Sequence, residues 1–386
     1  MTLNRRDIIR LIGATASLTV MPSLSLPSGA STPAKNRFVF VMLRGGMDGL
    51  HAFPKLDDPH YQALRGSLTD GVSLSPLHSG FSVHPELDVI HDLFHQNQAL
   101  IIHSVASAYK TRSHFDAQDV LELGTAHLVS SGDGWLGRAA NHMAEDNAAI
   151  AIAQSLPLAL RGGAGVSSWA PSKLPKAEAD LIERLGDLYQ NHPQLAEALQ
   201  AATDADETAM MIGGSGQPSN ATTASLAEAA GKLLSTGNKY QMAMMELGGW
   251  DTHNGQKNRI AGQLRKLNTL LKSLRTGLGD EWQNTVIAIA TEFGRTAAVN
   301  GTNGTDHGTA STAILAGGAV RGGQIVGHWA GLDTLYEGRD ITPTTDIRSL
   351  FKSVMVDHLG LSDTVVNNSI FPESQDAKRL TGLIRT

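Results

Sequence analysis

Asp251 and His253 stand two residues apart, after the apolar run Met242–Met245 and the pair Gly248-Gly249, and before a long amphipathic stretch. An acid and an imidazole at the C-terminal end of a buried strand sit where open α/β sheets keep their chemistry. The pair also supplies an oxygen and a nitrogen donor on one short turn, which suits a divalent transition metal. Taken alone it is equally a helix cap at Asp251 beside an exposed imidazole. Its meaning depends on how the other strands end.

Two further apolar runs end in the same way. Phe38–Leu43 leads into Arg44-Gly45-Gly46-Met47-Asp48-Gly49, and Thr285–Ala290 leads into Thr291-Glu292-Phe293-Gly294-Arg295. The loop Asn300–Gly308 then adds Asp306-His307. Parallel strands place such ends along one edge. Asp48, Asp251, Glu292, His253 and His307 would repel or desolvate one another there unless a cation compensated them. Separate roles are the alternative: Asp48 shaping a turn, Glu292 pairing with Arg295, and His307 exposed. Five such residues at strand ends of one chain favour a shared site.

The elements that must position these groups alternate between strand and helix. Phe38–Leu43, Ala99–Val105, Met242–Met245 and Thr285–Ala290 are continuous apolar runs, as expected of strands buried on both faces. Ala149–Ala153, Leu156–Leu160 and Ala313–Ala316 read as shorter strands. Pro85 opens a helix through Leu87, Ile90 and Phe94, and Asp133–Met143 reads as another. Ser113 sits where a helix begins. Ile260, Leu264, Leu267, Leu271, Leu274 and Leu278 form one apolar stripe after His253, the mark of a crossover helix on a sheet. Thr345–Leu359 reads as a last helix, with Asp346 near its start. Residues 176–236 are helical in composition, broken by a Gly/Ser loop at Gly213–Asn220. The expected fold is α/β: a largely parallel central sheet flanked by helices on both faces, with a helical insertion at 176–236.

Composition narrows the class. The chain has 386 residues, no cysteine and a net charge of −6, so disulfides and thiolate chemistry are excluded, and nucleic acid is not expected as a partner. Arg5-Arg6 precede a modestly apolar run, Ile8 to Leu26, and Ser28-Gly29-Ala30 offers small residues for cleavage. This reads as a twin-arginine signal peptide over residues 1–30, which would make the twin-arginine translocase a partner during export. Ser, Thr, Gly and Pro interrupt the run, so no stable membrane span is expected. Residues 31–386 then form a single domain in the periplasm or outside the cell.

FVFVMLRGGMDGL, RSHFDAQD, GGWDTHNGQ, TEFGRT and GTDHG resemble an exported bacterial family known as domain of unknown function 1501. That family in turn resembles the alkaline phosphatase/sulfatase superfamily, whose members bind two divalent metals at strand ends. The resemblance implies an alkaline-phosphatase-like fold. It makes Asp48 the first-strand metal aspartate, Ser113 the nucleophile, Asp251 and His253 an Asp…His ligand pair, Glu292 a metal carboxylate and His307 the last histidine. Asp306-His307 looks like the superfamily's Asp-His dipeptide, but chain order gives that place to Glu292. Two departures stand out. Asp251 and His253 are two apart rather than four, and Phe293 occupies the place of a histidine.

The chemistry so implied is metal-dependent hydrolysis of an anionic phosphate or sulfate ester, small or polymeric. One metal would be held by Asp251, His253 and His307. A second, reduced site of Asp48 and Glu292 would suit Mg²⁺ or Ca²⁺, or stay unfilled. One or two ions, Zn²⁺ or Mg²⁺/Ca²⁺, are thus expected. Ser113 would attack, His114 would carry a proton, and Arg44, Arg112 or Arg295 would hold non-bridging oxygens, with Arg295 standing in for a missing cation. Two alternatives remain: an inactive exported binding protein on the same scaffold, and a mononuclear hydrolase with water as its nucleophile. His328 and His358 are left outside the site.

Overall fold

The computed structural model describes residues 36–129, 132–143, 149–171, 179–211, 222–236 and 240–385. Residues 1–30, read above as a signal peptide, and Gly213–Asn220, read as a loop, lie outside them. Nine strands build the main sheet: β1 (Arg37–Arg44), β2 (Ala99–Ala106), β3 (Ala149–Ile152), β4 (Val166–Trp169), β5 (Met242–Gly248), β6 (Thr285–Thr291), β7 (Ser311–Ala316), β8 (Gln324–Val326) and the short β9 (Thr345–Asp346). Their order is β8-β2-β7-β6-β1-β5-β3-β4, with β9 pairing β2. β1 lies between β5 and β6, parallel to both, with Arg44 opposite Gly248 and Leu43 opposite Thr291. The ends carrying Asp251 and Glu292 therefore flank the loop after β1.

One strand runs against the others. β7 is antiparallel to β2 and β6. The loop after β6 returns from the same sheet edge with no crossover helix, so the chain must re-enter in the opposite direction. Leu156–Leu160 is a second departure. It forms a short 3₁₀ turn at Leu158–Leu160 that buries Ala159 and Leu160, and Ala159 N–H donates to Glu122. A short apolar run reports burial and leaves the conformation open.

The helices include α1 (Gly49–Ala52), α2 (Tyr61–Thr69), α3 (Asp88–His95), α4 (His114–Leu123), α5 (Trp135–Ala140), α6 (Ala179–Tyr189), α7 (Pro193–Met211), α8 (Thr223–Ser235), α9 (Gln256–Leu278) and α10 (Ile347–Ser353). Alternate residues of β1 divide the core. Val39, Val41 and Leu43 pack with Leu233 of α8, Leu264 and Leu271 of α9 and Phe94 of α3. Phe38, Phe40 and Met42 pack with Trp135 of α5 and Phe351 of α10. Both faces of the sheet are thus covered, as the continuous apolar strands require. None of the described helices is long and apolar enough to cross a membrane.

Part of the helical insertion is core rather than cover. α8 crosses α9 at two glycines: a Cβ on Gly231 would meet Leu274 O at 2.6 Å, and one on Gly277 would meet Glu228 O at 2.1 Å. In the same α9, a Cβ on Gly262 meets nothing within 4 Å. Gly277→Ala is therefore expected to cost about 1–3 kcal/mol by forcing the helices apart. Gly262→Ala should instead stabilise by about 0.5–1 kcal/mol, the ordinary gain of alanine inside a helix. Urea unfolding of the two variants checks the opposite signs.

Three buried histidines make the fold sensitive to acid. Burial pushes His51, His103 and His358 from 6.5 down to about 4. The unfolded chain then binds more protons than the folded one between these values. The stability is present above about pH 6.5 and is lost as pH falls towards 4, by up to about 3 kcal/mol per histidine. His358→Gln, at a side chain whose Nε2 meets the Arg37 carbonyl at 2.8 Å, should flatten this slope in denaturation midpoints measured across pH.

Candidate metal centre

Three imidazoles meet at the edge where β1, β5 and β6 end. His253 follows β5, His307 lies in the loop after β6, and His114 is the first residue of α4. Each turns Nε2 towards one oxygen, Asp251 Oδ1: His253 at 2.9 Å, His307 at 3.1 Å and His114 at 3.5 Å. His253 and His307 Nε2 are 3.0 Å apart. The side chains are between 24% and 43% exposed, so the cluster opens to solvent.

The other ring nitrogen of each histidine faces an oxygen. His114 Nδ1 lies 2.8 Å from Glu292 Oε1, His253 Nδ1 3.4 Å from Asp306 Oδ1, and His307 Nδ1 3.2 Å from the Arg112 carbonyl. Outer acceptors of this kind fix the tautomer of metal-binding histidines and leave Nε2 as a lone pair. His114 Nε2 is buried and has no hydrogen-bond partner among the described residues. Three lone pairs and a carboxylate oxygen facing one another repel unless a cation sits between them. Ligand atoms of His114, Asp251 and His307 all lie within 4.8 Å of one another. The donor set, three imidazole nitrogens and one carboxylate oxygen, fits Zn²⁺ or another first-row divalent ion better than Mg²⁺ or Ca²⁺.

Burial raises the Asp251 carboxyl, but the Arg295 hydrogen bond and charge, with His253 and His307, hold the group below its usual range. Burial likewise opposes ionisation of Glu292, yet His114, Gln118 and the Gly45 N–H keep it ionised. His114 is pushed up, first by its hydrogen bond to Glu292. His307 is pushed down by burial and by the charges of His114 and Arg295.

These contacts differ from the expected roles at six residues. Asp48 is absent from the cluster: 1% exposed, it caps α1 through the His51 N–H, pairs with Arg65 Nη1 at 2.5 Å and accepts from Gln256 Nε2 at 2.6 Å. These contacts give the carboxylate a structural role beside a buried guanidinium. Glu292 is fully buried and backs His114 rather than facing the cluster centre, its Oε1 also accepting from Gly45 N–H and Gln118 Nε2. The reduced second site of Asp48 and Glu292 is therefore not assembled. His114, read as a proton carrier, joins the imidazole cluster. Arg295 is no anion clamp, because its buried guanidinium donates to the carbonyls of Gly45, Gly46, Trp250 and Thr305 and to Asp251. Arg44 is bound to Gln118, Glu122 and Glu246, and Arg112 to Glu337 and Asp340.

Ser113 caps α4 in extended backbone, but its hydroxyl makes no capping hydrogen bond. Phe293, 3% exposed, lies against both His114 and His307, with ring centroids 4.7 and 4.9 Å away. It walls the cluster at the position where the resemblance implied a histidine. Gly45 approaches Asp251 so closely that a Cβ would fall 2.6 Å from the Asp251 nitrogen. This is the reason for the glycine pair after β1. Arg65, Gln118 and Gln256 were not marked by the sequence, since each acts through partners far along the chain.

A protein family described as "Protein of unknown function (DUF1501)" matches residues 109–370. No curated protein sequence matches the chain. Solved structures with similar backbones include one described under metabolism of multiple glycosaminoglycans by Bacteroides thetaiotaomicron, 11% identical, covering 89% of this chain and 75% of that one with a TM-score of 0.44. A phosphonate monoester hydrolase of Agrobacterium radiobacter is 12% identical, covering 85% and 74% with a TM-score of 0.41. The lipoteichoic acid synthase LtaP from Listeria monocytogenes is 9% identical, covering 88% and 76% with a TM-score of 0.42.

Proposed function

We propose that this chain, which belongs to the DUF1501 family of proteins of unknown function, is an exported metal-dependent hydrolase of a phosphate or sulfate ester. The observation that carries this reading is the convergence of His114, His253 and His307 Nε2 on Asp251 Oδ1, each imidazole backed at Nδ1 by an oxygen. A divalent ion bound there would act as a Lewis acid towards a phosphoryl or sulfuryl oxygen.

The chain's own groups supply the rest. Ser113, one residue from His114 and with its hydroxyl free of a capping bond, is the nucleophile. The first turn of α4 directs backbone N–H groups and the positive end of its dipole towards the same place, favouring an anionic substrate. Because Arg44, Arg112 and Arg295 are all engaged, helix and ion would carry the charge compensation. The Arg5-Arg6 leader supports twin-arginine export to the periplasm or beyond.

One observation favours a second reading, a binding protein without turnover: Arg44, Arg112 and Arg295, the arginines expected to hold a transferring group, are all engaged by other partners. Zinc-loaded protein assayed with p-nitrophenyl phosphate and p-nitrophenyl sulfate separates the two. The expected result is turnover that Ser113→Ala abolishes while the metal is retained. Turnover unchanged in Ser113→Ala would make water the nucleophile, and metal binding without turnover on any ester tried would leave the binding protein.

A further inference from the structure

Arg112 has a left-handed backbone, with φ of 64°, immediately before Ser113 and His114. An L side chain rarely adopts that conformation without something to hold it. Here the guanidinium is anchored. Arg112 Nε donates to the fully buried Asp340 at 2.8 Å, Nη2 lies 2.7 Å from the same carboxylate, and Glu337 takes a further bond. Asp340 is itself fixed, by the Thr309 hydroxyl at 2.8 Å and by bridges to Thr296 and Tyr336.

The consequence appears at His307. The Arg112 carbonyl lies 3.2 Å from His307 Nδ1. A carbonyl only accepts, so Nδ1 carries the proton and Nε2 keeps its lone pair towards Asp251. The Asp340 turn grips the same residue from the other side, where Arg339 Nη2 donates to the His307 carbonyl at 2.6 Å. With an ordinary right-handed φ at Arg112, its carbonyl would turn away from the imidazole.

We propose that the Arg112–Asp340 ion pair is a positioning device for the cluster: it holds residue 112 left-handed so that the residue's carbonyl fixes the tautomer and orientation of His307. The inference rests on the metal-centre reading. Arg112 and Asp340 are positioning residues, and the element they control is backbone rather than charge.

Zn²⁺ affinity, measured by competition with a chromophoric chelator, tests this on three variants whose folding is checked by circular dichroism. Arg112→Ala and Arg112→Gly both remove the guanidinium, but only glycine adopts the left-handed conformation without an anchor. The expected result is a loss of about 10- to 100-fold in Arg112→Ala and in Asp340→Ala, with Arg112→Gly within a few fold of the native chain. A purely electrostatic role for the arginine would not distinguish alanine from glycine, and a loss of fold stability alone would show in the circular dichroism. Equal affinities in Arg112→Ala and Arg112→Gly, whether both native or both weak, would overturn the proposal. A native chain that binds no Zn²⁺ would overturn the metal-centre reading and this inference with it.

Discussion

Replacing Arg65 by methionine will destabilise the protein by about 3–5 kcal/mol, the usual cost of stripping one partner from a buried ion pair. Arg65 is 1% exposed and donates to Asp48 and to the carbonyls of Thr296 and Ala297. Methionine fills much of the volume and supplies none of these donors. Asp48 would remain as a buried carboxylate supported by the His51 N–H, Gln256 and Thr305. In the native protein burial raises the Asp48 carboxyl, but Arg65, with His51 and Gln256 beside it, holds it below its usual range. Without Arg65, burial dominates and the folded-state pKa rises above the unfolded value. The variant's deficit should therefore be largest near neutral pH and shrink in acid, where the carboxyl takes up a proton. Urea titrations at neutral and acid pH measure both parts. A deficit that does not depend on pH would mean that lost packing, not the stranded carboxylate, sets the cost.

The second large effect is expected at Arg295. Its side chain reaches the loop after β1 at Gly45 and Gly46, the loop after β5 at Trp250 and Asp251, and its own loop at Thr305. It is the tie that brings three strand ends into one site. Arg295→Met should cost about 3–5 kcal/mol, because the carbonyls of Gly45, Gly46, Trp250 and Thr305 lose their donor, and, unlike Arg65→Met, should also abolish tight divalent-ion binding by releasing Asp251. Calorimetric titration with Zn²⁺ on both variants, at a temperature where each is folded, distinguishes them: Arg65→Met binds and Arg295→Met does not.

The contrast between these two arginines shows what could be read from the chain. β1, β2, β5 and β6 were legible because strands buried on both faces are written as continuous apolar runs. The rule that chemistry gathers at strand ends pointed to Asp251, His253 and His307, which the structure brings together. The same rule misplaced Asp48, since a strand-end carboxylate looks identical whether it faces a site or a buried guanidinium. Arg65 reaches it across 17 residues and Gln256 across 208, and no local pattern records such partners. His114 was legible as a residue of interest but not as a member of the cluster, because it enters from a helix start and its orientation is set by Glu292, 178 residues away. The antiparallel β7 went unread for a similar reason: an apolar run carries no direction.

The metal content of the folded protein, measured by mass spectrometry after loading with Zn²⁺ and exhaustive dialysis, tests the central claim most directly. The native chain is predicted to retain about one divalent ion in the cluster, and the Asp251→Ala/His307→Ala variant none. A native chain that retains no metal, or a double variant that retains as much as the native chain, would contradict a metal centre built from His114, Asp251, His253 and His307.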